Sequence, residues 1–124
     1  MKLITVATTG SGRSAYRVVP NPDDPVILQL DGRLCRVLDI SASGFSCPEG
    51  DIKPGRRYRF KLDLPTVSVQ LNGYVDVLPS HENGHLHCRF VELSADELDL
   101  LHHYVLVRQK EALRLLRSRG GRPR

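Results

Sequence analysis

Apolar and polar residues alternate with a period of two through the middle of the chain and switch to a helical period only near its end. The alternation is clearest where Leu34, Arg36, Leu38 and Ile40 oppose Cys35, Val37, Asp39 and Ser41. Such a run predicts a strand, here one that runs into a turn ending at Gly44. Comparable runs predict strands at Val26–Leu30, Leu34–Ser41, Phe45–Cys47, Arg57–Leu64, Ser68–Leu78 and His85–Leu93. Asp31-Gly32 and Glu82-Asn83-Gly84 read as hairpin turns, because their residues tolerate positive φ. Six short strands joined by such turns predict a mainly β fold, a small six-stranded antiparallel β-barrel, closed or nearly so.

The helical period begins after Ser94. Ser94 and Glu97 have capping-box spacing, and Asp96 and Glu97 suit the positive end of a helix dipole. A C-terminal helix over 94–116 follows. Leu98, Leu101, Val105, Ala112 and Leu116 recur on one face, widened by Leu100, Tyr104 and Val107, and this stripe is expected to pack internally. Leu106 and Leu113, seven residues apart, fall on a different stripe, the place to look for a partner. Gly120-Gly121 stops any helix, and a basic tail, 117–124, follows.

Composition limits the alternatives. At 124 residues, with 40% hydrophobic and 26% charged positions, the chain has the makings of one small globular domain. The formal charge of +4 is carried by Arg117, Arg119, Arg122 and Arg124, so the body before them is neutral. A basic face of the kind that binds nucleic acid is therefore not expected. Cys35, Cys47 and Cys88 are odd in number and lack Cys-x-x-Cys spacing; they read as small buried hydrophobes in a reducing, cytoplasmic setting. Residues 1–12 are small and glycine-bearing and read as a flexible arm without a leader sequence. No segment reaches membrane-spanning length.

Two separated segments carry the candidate chemistry. Arg13-Ser14-Ala15-Tyr16-Arg17 places two guanidinium forks four residues apart, before the proline-punctuated connector Pro20–Pro25 and the first strand. Asp39-Ile40-Ser41-Ala42-Ser43-Gly44 has the form Asp-x-Ser-x-x-Gly at a strand end. Either alone is commonplace. Together, in this order, they resemble the PilZ domain, a bacterial receptor module for cyclic di-GMP, and the resemblance spans Arg13 to about Leu116.

The ligand's chemistry suits these residue types. Cyclic di-GMP carries two phosphodiester charges and two guanines, each with O6 and N7 acceptors that an arginine fork meets with paired N–H bonds. Asp39 can accept from the opposite guanine edge, Ser41 can donate or accept, and Gly44 would allow a positive φ and close ligand approach. The resemblance thus implies a cyclic di-GMP site of Arg13, Arg17, Asp39, Ser41 and Gly44, with the arginine-bearing loop folding over the ligand. The stretch Gly84–Leu93 is similar to the family's late strand, with Cys88 where a glycine is common. Gly12 stands where some members have a further arginine and take up two stacked ligands, so one ligand per site is expected.

Other constellations are weaker. His81, His85, His87 and Cys88 cluster near one turn, but no second ligand pair has zinc-site spacing, so no metal is expected. Glu49 and Asp51 lie in a loop without a nearby nucleophile or base, and phosphate-loop, metalloprotease and nucleophile-elbow patterns are absent. The expectation is a non-enzymatic cyclic di-GMP receptor without a cofactor. It changes conformation on binding and signals through an effector protein, since it has no output domain of its own. The alternatives are a PilZ-like interaction module that does not use the nucleotide, and nucleic-acid binding through the basic tail.

Overall fold

The computed structural model describes residues 16–120, apart from Asp51, Thr66, Ser68 and Asn83. Its strands are β1 (Ile27–Leu30), β2 (Arg33–Cys35), β3 (Asp39–Ile40), β4 (Gly44–Pro48), β5 (Arg57–Asp63), β6 (Gln70–Glu82) and β7 (His85–Val91), followed by α1 (Ala95–Gly120). All pair antiparallel in one sheet of order β2-β1-β5-β6-β7-β4-β3.

The expected six-stranded barrel, closed or nearly so, is corrected to a seven-stranded antiparallel sheet that does not close. The run Leu34–Ser41 is two strands, not one. After β2 the chain leaves the sheet at Arg36–Leu38 and re-enters as β3 on the opposite edge. Alternation alone could not reveal this, because the connecting residues keep the pattern while the pairing partner changes from β1 to β4, to which Leu38 N–H already donates at the Ser46 carbonyl (2.8 Å); Leu34 is 76% exposed. Four Cα–Cα steps separate Cys35 from Asp39, at most about 15 Å. Seven flat strands would spread the edges about 29 Å apart at ordinary strand spacing. The sheet must therefore curl until its edges come within reach of this link, although β2 and β3 do not pair.

Curling turns one face inward. Leu28, Leu30, Phe45, Phe60, Leu62, Leu71, Val75, Leu86 and Phe90 fill it, with the Phe90 ring centroid 5.7 Å from that of Phe45 and 5.1 Å from that of Phe60. At the Asp31-Gly32 turn both residues have positive φ, 49° and 85°, as the hairpin signal predicts.

The capping box forms: the Ser94 N–H donates to Glu97 Oε1 (2.9 Å) and the Glu97 N–H to Ser94 Oγ (3.1 Å). Leu101, Tyr104 and Val105 then seal the core. The helix runs to Gly120, four residues beyond the expected end. Internal packing of the whole first stripe is also corrected, because Ala112 and Leu116 are exposed. The apolar period continues after the body it packs against has ended.

Candidate ligand-binding face

The Asp-x-Ser-x-x-Gly segment folds as a tight hairpin. Ser41 N–H donates to the Gly44 carbonyl (2.8 Å), leaving Ala42-Ser43 as a two-residue loop between β3 and β4. The Ser41 side chain is fully buried and its hydroxyl organises that loop: Oγ accepts from Ser43 N–H (3.1 Å) and lies 3.0 Å from Ser43 Oγ. Among the described residues it is thus the exposed Ser43 hydroxyl, not that of Ser41, that the loop presents to solvent.

Gly44 is not at positive φ, and neither is any residue from Ile40 to Ser43, which corrects the expectation of a left-handed turn. Its glycine has a different cause. A Cβ built there would stand 2.0 Å from the Cys88 carbonyl oxygen and 3.1 Å from Arg89 Cα. The hairpin lies directly against β7, fixed by Phe90 N–H donating to the Ser43 carbonyl (3.0 Å).

The second segment meets this hairpin. Val18 and Ile40 exchange both backbone hydrogen bonds (2.9 Å each), and Val18 is buried in the core. The residue before it, Arg17, is thereby placed over β3, where its Nη1 donates to Asp39 Oδ1 at 2.5 Å. Val18 thus ties the end of the arginine-bearing segment to the sheet. Arg13, the other fork, lies outside the described residues.

Strand register extends the face beyond these residues. Asp39 pairs with Ser46, and Ser46 with His87, whose Nδ1 is 3.1 Å from Ser46 Oγ. In the next row Gly44 pairs with Arg89 and Arg89 with Asp76, which binds Arg57 (2.8 Å). The hydrogen bond from Arg57 holds the Asp76 carboxyl below the ordinary carboxylate range. The result is a polar outer face carrying Arg17, Asp39, Ser43, His87 and Arg89, suited to a planar, anionic ligand with donor and acceptor edges.

Sequence reasoning missed Ser43, although it lies within the motif, and could not place His87 or Arg89 without the register. It also missed Arg108. From α1, Arg108 Nε donates to the Val19 carbonyl (2.8 Å) while its Nη1 binds Glu111 (2.9 Å). The segment bearing Arg17 is therefore held between β3 and the helix.

Among the described residues no group of His, Cys, Asp or Glu is placed to hold a metal ion. Cys47 and Cys88 are buried in the core, and Cys35 packs against it partly buried. Hydrogen bonding to Cys47, then burial, pushes Cys35 far above its usual range. The Cys47 thiol is pushed up to about 12: its contact with Cys35, which pulls the other way, is outweighed by Cys88 and burial together. Such thiols stay protonated and act as small hydrophobes.

A family model described as "PilZ domain" matches residues 12–106. No curated protein matches the chain. Among solved structures, YcgR from Escherichia coli in complex with c-di-GMP superimposes with a TM-score of 0.66 at 17% identity, covering 84% of this chain and 49% of YcgR. The Bacillus subtilis inhibitor of motility MotI/DgrA gives 0.60 at 19%, covering 82% of this chain and 52% of that protein. An uncharacterized Legionella protein gives 0.59 at 18%, covering 80% of this chain and 98% of that one. The chain thus spans about half the length of YcgR and of MotI, and nearly all of the Legionella protein.

Proposed function

The chain belongs to the PilZ domain family, and from that premise we propose that it is a receptor for cyclic di-GMP. The observation that carries the proposal is the convergence of Arg17 and Asp39, 22 residues apart in sequence, on one outer face beside the Ser41–Gly44 hairpin. Arg17 would meet a phosphate or a guanine O6/N7 edge, and Asp39 the N–H edge of guanine. Ser41 acts by holding the loop that presents Ser43. Gly44 acts by letting that loop lie on β7. Arg13 supplies the second fork.

Because Arg17 and Asp39 already bind each other, the nucleotide must share or replace their ion pair. That change would reach the helix through Val19 and Arg108. Occupancy could then bias the exposed surface toward an effector protein by the difference in ligand affinity between the two arrangements. The same ion pair also favours a second reading, an interaction module whose two polar groups satisfy each other and bind no nucleotide.

Calorimetric titration of the full chain with cyclic di-GMP separates the two. The receptor reading expects saturable binding near one ligand per chain, lost in Arg17→Ala. Absence of binding at ligand concentrations well above micromolar overturns it in favour of the second.

A further inference from the structure

From Leu106 onward the helix carries an apolar surface that its own domain does not use. Leu106 and Leu113 are about half exposed, and Leu115 and Leu116 are 65% and 64% exposed. At about 100° per residue, Leu106 and Leu113 lie nearly in line, Leu116 is about 60° from Leu113, and Leu115 is about 160° away on the same side, with Ala112 between them. Leucine and alanine thus recur over about half of the circumference, an arc that Arg108 and Gln109 share only in the turn before Ala112. Lys110 and Arg114 project from the other half. Every residue from Ala112 to Leu116 is exposed.

Charge is concentrated at the same end. From Leu106 onward the chain has seven Lys and Arg against one acid, Glu111, a surplus of six, whereas the whole chain carries +4. Residues 1–105 are therefore net negative, so the molecule is a charge dipole with its positive pole on the leucine-bearing helix.

We propose that the second half of α1 is a docking surface for an anionic lipid bilayer, on which it lies in the interfacial plane. Charge complementarity selects an anionic surface, and the leucines require that the surface also be apolar beneath its charge. Bilayers offer both in layers, headgroup phosphates for Lys110, Arg114 and the basic tail, and acyl chains for the leucines. A partner helix buries a narrow seam and would leave much of this half-circumference arc in water. A nucleic acid would cover the charges and no leucine. Pairing with a second copy would bring two strongly positive helices together. The helix is not apolar enough to cross a membrane, so it lies on the surface and does not span it. The net-negative body is repelled by the same surface, which favours contact through this end of the helix.

The test is co-sedimentation of the full chain with vesicles of phosphatidylcholine alone and of phosphatidylcholine mixed with phosphatidylglycerol. Binding should favour the anionic vesicles by roughly tenfold or more at low salt and fall as salt rises. Leu113→Glu and Leu116→Glu should each reduce it severalfold while leaving circular dichroism and cyclic di-GMP affinity unchanged, so failure here is distinct from failure of the nucleotide reading. Equal binding to both vesicle types, or none, overturns the proposal. Leucine variants that bind as well as the parent, with polynucleotide competing freely, overturn it in favour of simple polyanion attraction. Dimerisation abolished by Leu113→Glu, without vesicle binding, makes a second copy the occupant. Vesicle binding that appears only when residues 2–12 are removed makes the chain's own N-terminal segment the occupant.

Discussion

Arg17 and Asp39 are joined by a 2.5 Å ion pair that bridges the segment before the sheet and the edge strand β3. Both side chains are more than a third or close to a third exposed, so the pair adds little to stability, within about 1 kcal/mol once solvent screening is allowed for. Its placement matters more than its strength, since it holds both groups ready on one face. Arg17→Ala should weaken cyclic di-GMP binding about 10- to 100-fold, the worth of a bidentate contact to guanine, and shift the melting temperature by only a few degrees. Asp39→Asn should weaken binding less, because the amide keeps one acceptor. Titration calorimetry with thermal melts checks both, and normal affinity in Arg17→Ala would remove Arg17 from the site.

Gly44 should tolerate no side chain at all. A residue needed only for positive φ can often be replaced by Asn, whereas a Cβ here overlaps the Cys88 carbonyl oxygen at 2.0 Å regardless of backbone angle. Gly44→Ala and Gly44→Asn should therefore destabilise alike, by at least about 2 kcal/mol, through forced separation of β4 from β7. Urea unfolding of the two variants decides the matter; a much milder effect of Asn would restore the turn explanation.

Signals confined to a few neighbouring residues were legible in the sequence. The Asp31-Gly32 turn, the Ser94–Glu97 capping box and five of the six strand runs needed only local chemistry, and the structure contains each of them. The pairing of Arg17 with Asp39 was foreseen as a shared site through family resemblance, and no periodicity could have supplied it. What stayed hidden depends on register and curvature. The break at Arg36–Leu38 preserves alternation, so only the strand order reveals that β2 and β3 are opposite edges. The contact of Arg108 with Val19 spans 89 residues and joins a side chain to a backbone carbonyl, which leaves no trace in either local sequence.

That contact should couple the helix to the ligand face. Arg108→Ala removes the donor to Val19 while touching neither Arg17 nor Asp39. We expect severalfold weaker cyclic di-GMP binding and faster amide exchange in the segment around Val18 and Ile40, whose mutual hydrogen bonds would open more often. Arg108→Lys should restore exchange protection only in part, since an ammonium cannot serve Val19 and Glu111 with one planar fork. Unchanged affinity and exchange in Arg108→Ala would show that the helix holds the segment without influencing the site.

Tyr104 offers a test of the core at high pH. Its ring seals the sheet beneath α1, yet its hydroxyl is buried and has no hydrogen-bond partner among the described residues. Removing that hydroxyl costs no interaction seen here, so Tyr104→Phe should be neutral or stabilising at pH 7. Burial, the chief cause, pushes the phenol up to about 12 from its usual 10, with Arg108 opposing the shift. In the unfolded chain the phenol loses its proton near pH 10, whereas the folded chain keeps it to about 12. The unfolded state therefore binds fewer protons across that window, and this group makes stability fall with rising pH, by up to about 1.4 kcal/mol per pH unit. Below pH 10 it contributes no pH dependence. Urea midpoints measured at pH 8 and pH 11 should separate further in the parent than in Tyr104→Phe. Equal separation would mean that the hydroxyl reaches water or a partner and is not desolvated.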